Sequence, residues 1–153
     1  MTKAKATSFI KSKGGIDKLR ATVDRIARSG RVKVGIPTGV KSGEGTPLSL
    51  IGAAHEFGIG VPERPFLRNT VRTRKVDYVR LNRINIVRML REELTPQQAL
   101  DQLGRMAVGH VQGFINNNSY ALAPSTIRRK GSSQALVDTG GLKGAISHEV
   151  ERV

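Results

Sequence analysis

The sequence predicts an α+β domain: a small antiparallel sheet packed with a long helix and shorter helices, joined by long loops. Three observations lead there. Two short segments far apart in the chain, 31–36 and 146–153, alternate apolar and polar side chains at the period of a half-buried strand. Between them, apolar residues recur at three- and four-residue spacing over much of the length, the period of helices with one buried face. Clusters of Gly, Ser, Pro and Asn punctuate these segments. The 153 residues suit one domain over 16–153, preceded by a flexible basic arm over 1–15.

Composition narrows the chemistry. Lys and Arg number 26 against 12 Asp and Glu, a formal charge of +14, which favours polyanions or acidic protein surfaces as partners. Aromatics are 4% of residues and Trp is absent, so the core must be aliphatic. Without cysteine there are no disulfides, no thiol chemistry and no cysteine-ligated metal. No stretch has the apolar length of a signal peptide or a membrane span, and a soluble protein made in the cytoplasm, with no membrane partner, is expected.

The arm carries Lys3, Lys5, Lys11 and Lys13 among small residues. From Ile16, the series Ile16, Leu19, Val23 and Ile26 marks the apolar stripe of a first helix, ending near Ser29-Gly30. In 31–36, Val32, Val34 and Ile36 should face the core, and Pro37 stops the strand. The following PTGVKSGEGTP reads as a projecting loop. It lacks the Lys-Ser/Thr pair at a helix start that a phosphate-binding loop requires.

Residues 47–57 form a short helix offering Leu48, Ile51, Ala54 or His55, and Phe57 for burial, with Gly58 placed to end it. The pair His55-Glu56 suggests a metalloprotease only if a second His stands four residues on, and position 59 is Ile. His55 is therefore read as a helix-end hydrogen-bonding group, and Glu56 as the partner of Arg64. Pro62 and Pro65 stiffen the turn, and Pro65 suits the first position of the next helix. That helix is expected to run from 65 to 93, with Leu67, Val71, Tyr78 or Val79, Ile86, Leu90 and Leu94 on its buried side. Its surface would be basic: Arg64, Arg68, Arg72, Arg74, Lys75, Arg80, Arg83, Arg88 and Arg91. Arginine suits carboxylate or phosphate contacts, because its planar guanidinium makes paired hydrogen bonds.

Thr95-Pro96-Gln97-Gln98 is a helix start in which Thr95 caps, Pro96 fits the first turn and Gln98 closes a capping box. Leu100, Leu103, Ala107, Val111 and Phe114 give this helix its stripe, packed back along its predecessor. Lone His110 reads as a boundary residue. After Asn116-Asn117-Asn118 the chain over 120–141 is expected to be mostly loop, with one helical turn at 125–129. Asp138 and Thr139 would cap a short helix at 141–145. The strand at 146–153 should pair antiparallel with 31–36.

Three blocks of the sequence, AAHEFG, then Pro62-Glu63-Arg64-Pro65-Phe66-Leu67-Arg68, then LAPSTIRRKGSSQALVDTGGLKGAIS, follow a strand ending VGI and a Gly-rich loop. In this order, over about residues 31–152, they resemble the tail-completion or neck proteins of tailed double-stranded DNA bacteriophages. The resemblance implies a virion structural protein at the head–tail junction, without enzymatic activity or cofactor. It would form a ring around the DNA channel, a hexamer or dodecamer, between the head connector or adaptor and the tail. It also implies assembly or structural roles for His55, Glu56, Phe57, Gly58, Pro62, Arg64, Pro65, Phe66 and Arg68, and for Arg129, Lys130, Asp138, Thr139, Gly140 and Leu142. The loop 38–46 and the segment 123–136 would be contact arms. So many arginines in a channel would grip passing DNA, and the basic surface is accordingly expected against acidic neighbours or on the outer faces of the ring.

A tail terminator capping the tail tube demands similar properties. A non-specific DNA-binding protein is the other alternative, motivated by the charge and the arginine-rich helix, although zinc-finger spacing and stacking aromatics are missing. An enzyme is the weakest reading, since His55, His110 and His148 have no evident catalytic partners.

Overall fold

The computed structural model describes residues 15–131, 133–137 and 139–152, so most of the arm (1–14) and Asp138 lie outside the described residues. It is an α+β fold. The order is α1 (Gly15–Ala27), β1 (Arg31–Gly35), α2 (Leu48–Phe57), α3 (Phe66–Thr73), α4 (Lys75–Leu90), α5 (Pro96–Asn117), α6 (Pro124–Lys130), α7 (Gly141–Gly144) and β2 (Ser147–Glu151). The two strands pair antiparallel, Arg31 opposite Glu151 and Gly35 opposite Ser147.

Helix α5 packs against both strands and against α3 and α4. Its start has the expected capping box: the Gln98 N–H donates to Thr95 Oγ1 at 3.2 Å and the Thr95 N–H to Gln98 Oε1 at 2.9 Å, with Pro96 in the first turn. Its buried row is Ala99, Gly104, Ala107, Val111 and Ile115. The small members let β2 come close. A Cβ at Gly104 would collide with the His148 ring, whose Nε2 lies 2.8 Å from Asp101 Oδ1. That hydrogen bond holds the Asp101 carboxyl below the usual carboxylate range.

The main core joins Phe66, Val111, Ile115, Leu136, Leu142 and Ile146, with Val34, Ile36 and Ile51 packed against it. A second cluster of Met89, Leu94 and Ala99 receives Ile26 from α1. Strand and core expectations for 31–36 therefore hold, with β1 ending one residue early.

Several helical expectations are corrected. The helix expected over 65–93 is two helices, broken at Arg74, whose backbone (φ −99°, ψ 9°) caps α3 and precedes α4. The cause is local: Thr70 Oγ1 donates to the Phe66 carbonyl at 2.6 Å, and Thr73 Oγ1 donates to that of Asn69 at 2.8 Å. Hydroxyls bonded back to the preceding turn compete with the backbone ladder and bend a helix. The buried face also differs. Of the residues expected on it, Leu94 is buried and Leu67, Tyr78 and Leu90 partly so, but Val71, Val79 and Ile86 are exposed, and Phe66, Thr70, Asn85 and Met89 are buried instead, with Leu81 partly so. On α1, Thr22 is buried and Leu19 and Ile26 partly so, while Ile16 and Val23 stand outside. Arg64, expected on the basic surface, is buried. The single turn expected at 125–129 is helix α6, and Ala135 and Leu136 beyond it enter the interior, so the end of the segment 123–136 is core rather than arm.

Candidate assembly joint

The end of α2 and the start of α3 form one unit. Gly58, in the left-handed conformation (φ 71°), ends α2 and turns its N–H to the Ala54 carbonyl. The chain returns past exposed Pro62, and the Arg64 N–H donates to the His55 carbonyl at 2.6 Å, which sets the returning strand beside the last turn of α2. Pro65 occupies the N-cap position of α3, one residue before the place expected for it, and offers no side-chain cap.

Glu56 supplies what Pro65 cannot. Only 4% exposed, its carboxylate accepts from the Leu67 N–H through Oε2 and from the Arg68 N–H through Oε1, each at 2.9 Å. First-turn amides have no partner within their own helix, and the positive end of the helix dipole favours an anion there. A residue on a different helix is thus the N-terminal cap of α3. The Glu56 carboxylate pairs with Arg68 (Nε to Oε1, 3.1 Å), not with Arg64 as expected. Arg68 also reaches the Glu56 carbonyl and the Glu63 carboxylate. Its guanidinium carbon sits 5.5 Å from the centre of the Phe57 ring. Phe57, expected to be buried, is 62% exposed and meets a cation over its face instead of a core.

Arg64 closes the unit from inside. Its Nη1 is 3.3 Å from His55 Nδ1, and Nη2 donates to the Ala121 carbonyl at 3.4 Å. Because guanidinium only donates, His55 Nδ1 must accept, which leaves a neutral ring protonated at Nε2. Burial first, then the charges of Arg64 and Lys130, push the His55 pKa down. Between this lowered value and the ordinary one near ~6.5, the unfolded chain binds more protons than the folded chain, so stability falls as pH drops through that window. We expect the urea midpoint to fall between about pH 7.5 and pH 5, and the His55→Asn variant, which keeps an acceptor but cannot titrate, to lose less over the same range. An unchanged slope in His55→Asn would contradict the assignment.

The third sequence block divides. Arg129 is exposed on α6, and Lys130 Nζ donates to the Gln134 carbonyl at 2.7 Å. Leu142 is buried in the same core cluster as Phe66, where α7 packs against α2. Gly140 (φ 82°) takes the N-cap position of α7 expected for Asp138 or Thr139, and Thr139 Oγ1 accepts from the Gly141 N–H at 3.4 Å. The structure therefore brings together His55, Glu56, Phe57, Gly58, Arg64, Phe66 and Arg68, with Lys130 near His55 and Leu142 in the core cluster of Phe66, and leaves Arg129, Thr139 and Gly140 outside these contacts. Four ties escaped the sequence reading: the Ala121 carbonyl on Arg64, Asn69 Nδ2 on Tyr120 Oη (3.1 Å), Asn118 Nδ2 on the Ala135 carbonyl (2.9 Å), and Gln134 Nε2 on the Asn116 carbonyl (2.9 Å). The run Asn116-Asn117-Asn118 was the one usable signal, since short amides favour helix ends and turns.

A cleft of about 500 Å³ beside the bend at Arg74 is lined by Thr70, Thr73, Arg74, His110, Gly113 and Phe114, among others. Its polar groups are engaged: both threonine hydroxyls bond backbone carbonyls, and His110 Nδ1 lies 3.3 Å from Tyr78 Oη. Among the described residues, no three His, Asp or Glu side chains gather to hold a metal ion, and no helix is long and apolar enough to cross a membrane. Comparison of the chain with protein-family models, with curated proteins and with solved structures finds nothing that matches.

Proposed function

We propose that this chain is a virion structural protein of a tailed phage, joining head to tail as a ring subunit around the DNA channel. The observation that carries the reading is the joint. Two of the sequence blocks behind the resemblance, AAHEFG and Pro62–Arg68, are fastened to each other by Glu56, and Arg64 ties them to the carbonyl of Ala121, the residue just before the third. Conspicuous histidine, glutamate and arginine side chains are used in holding three segments in place. What remains outside is contact surface: the loop 38–46, the basic helix α6, and the outer side of α3 and α4. Such a molecule works by fit with its neighbours. Head-to-tail contacts between copies close into a ring when the rotation per subunit permits. A tail terminator would use the same features at the end of the tail tube.

DNA binding is the second reading, favoured by exposed Arg72, Arg80, Arg83 and Arg91 along α3, α4 and the turn after them. Salt separates the two. Phosphate contacts weaken steeply as salt rises, whereas a fitted protein interface with an apolar centre does not. We expect duplex binding by the purified chain to vanish in moderate salt while association with the connector or tail persists. Tight duplex binding without association with either partner would reject the joining role.

A further inference from the structure

We propose that the outward face of α4 docks an acidic amphipathic helix of another protein. Helix α4 is apolar on two sides. Its inner side, with Asn85 and Met89 buried, packs on α5 and α1. Opposite it, Val76, Val79, Arg83, Ile86 and Leu90 recur at spacings of three, four, three and four, the seam of a two-heptad coiled coil. Val76, Val79 and Ile86 are 69%, 41% and 38% exposed, so the seam stands open at these three positions, while Leu90 at its end is partly buried. At 16 residues the helix presents it over about 24 Å.

Charge decides the occupant. Lys75 and Arg80 flank the seam on opposite sides and Arg83 interrupts it. Asp77, the one acidic residue of α4, is already paired with Arg74 at 3.5 Å. A second copy laid seam to seam would set these cations against themselves, in a contact from which water is excluded. The arm over 1–14 has the same sign. Nucleic acid would satisfy the arginines but leave the valines and isoleucine without apolar partners. A bilayer would have to take in Arg83 at the centre of the apolar face. A helix with apolar core positions, glutamates on both flanks and one glutamate opposite Arg83 satisfies every group, and the planar guanidinium suits a paired carboxylate contact that fixes register.

The inference deepens the joining role by naming a partner's chemistry, yet it stands on α4 alone. The test uses the full chain and a labelled three-heptad peptide with Leu at its core positions, Glu opposite Arg83 and Glu on both flanks, against a twin with Lys for every Glu. Fluorescence anisotropy should show the acidic peptide binding at least roughly tenfold more tightly than its twin. The double variant Val79→Glu/Ile86→Glu should lose that binding by a similar factor while keeping its circular dichroism. Val40→Glu, at a valine 39% exposed in the loop, should leave it unchanged. Absent binding, equal binding of the twins, or binding that survives the double variant overturns the proposal. So does a free-chain dimer dissolved by the double variant, or tighter, variant-sensitive binding to a DNA duplex or to phosphatidylglycerol vesicles. A chain that joins heads to tails yet ignores the peptide overturns this inference alone. One that binds the peptide but is dispensable for joining overturns only the role proposed above.

Discussion

Replacing Glu56 with Ala should lower the stability of the chain by about 3 kcal/mol, from two charge-assisted hydrogen bonds at roughly 1.5 kcal/mol each. The contact with Arg68 adds little, because that side chain is 54% exposed and its pairing is screened by water. The damage is specific: the amides of Leu67 and Arg68 at the head of α3 lose their acceptor, and the first turn of α3 loses the anion its dipole favours. Glu56→Gln keeps one acceptor oxygen and should lose about half as much. Urea unfolding followed by circular dichroism measures both. A loss below about 1 kcal/mol for Glu56→Ala would mean that another group caps those amides as well as the carboxylate does.

Phe66→Ala should cost about 4 kcal/mol, within the range for deleting a buried aromatic. Phe66 has no exposed surface and lies in the core with Val111, Ile115 and Leu142, where the void left by its ring cannot close without moving α5. Against a total stability of about 5–15 kcal/mol for an ordinary domain this is a large fraction, visible as a clearly lowered thermal midpoint. A midpoint within a few degrees of the parent would contradict the core placement. This has a consequence for function. Substituting Arg64 or Phe66 is expected to abolish assembly, but through the fold, so the surface that meets a neighbour has to be probed at exposed positions such as Val79, Arg83 and Ile86.

The fold was legible where one physical rule acted alone. The capping box at Thr95, the stop at Gly58 and the alternation in 31–36 and 146–153 each follow from local chemistry, and the structure has all of them, with the two strands paired. Helix α4 misled because it is apolar on two sides. The stripe most visible in the sequence, through Val79 and Ile86, is the exposed one, and its buried side includes the polar Asn85. The bend at Arg74 was hidden because Thr70 and Thr73 read as ordinary helix residues until their hydroxyls are seen on the preceding carbonyls. At the joint, the importance of His55, Glu56, Arg64 and Arg68 was legible, but their pairing was not. Spacing alone made Arg64 the nearer partner for Glu56, whereas the return of the chain at Gly58 swings Arg64 to His55 and leaves the carboxylate facing the head of α3.

The most direct measurement for the proposed role is negative-stain electron microscopy of the phage particles that this role requires, made with the reading frame interrupted. Filled heads and finished tails lying apart, and joined again when the intact protein is supplied, are the predicted result. Normal joined virions in its absence would contradict the account.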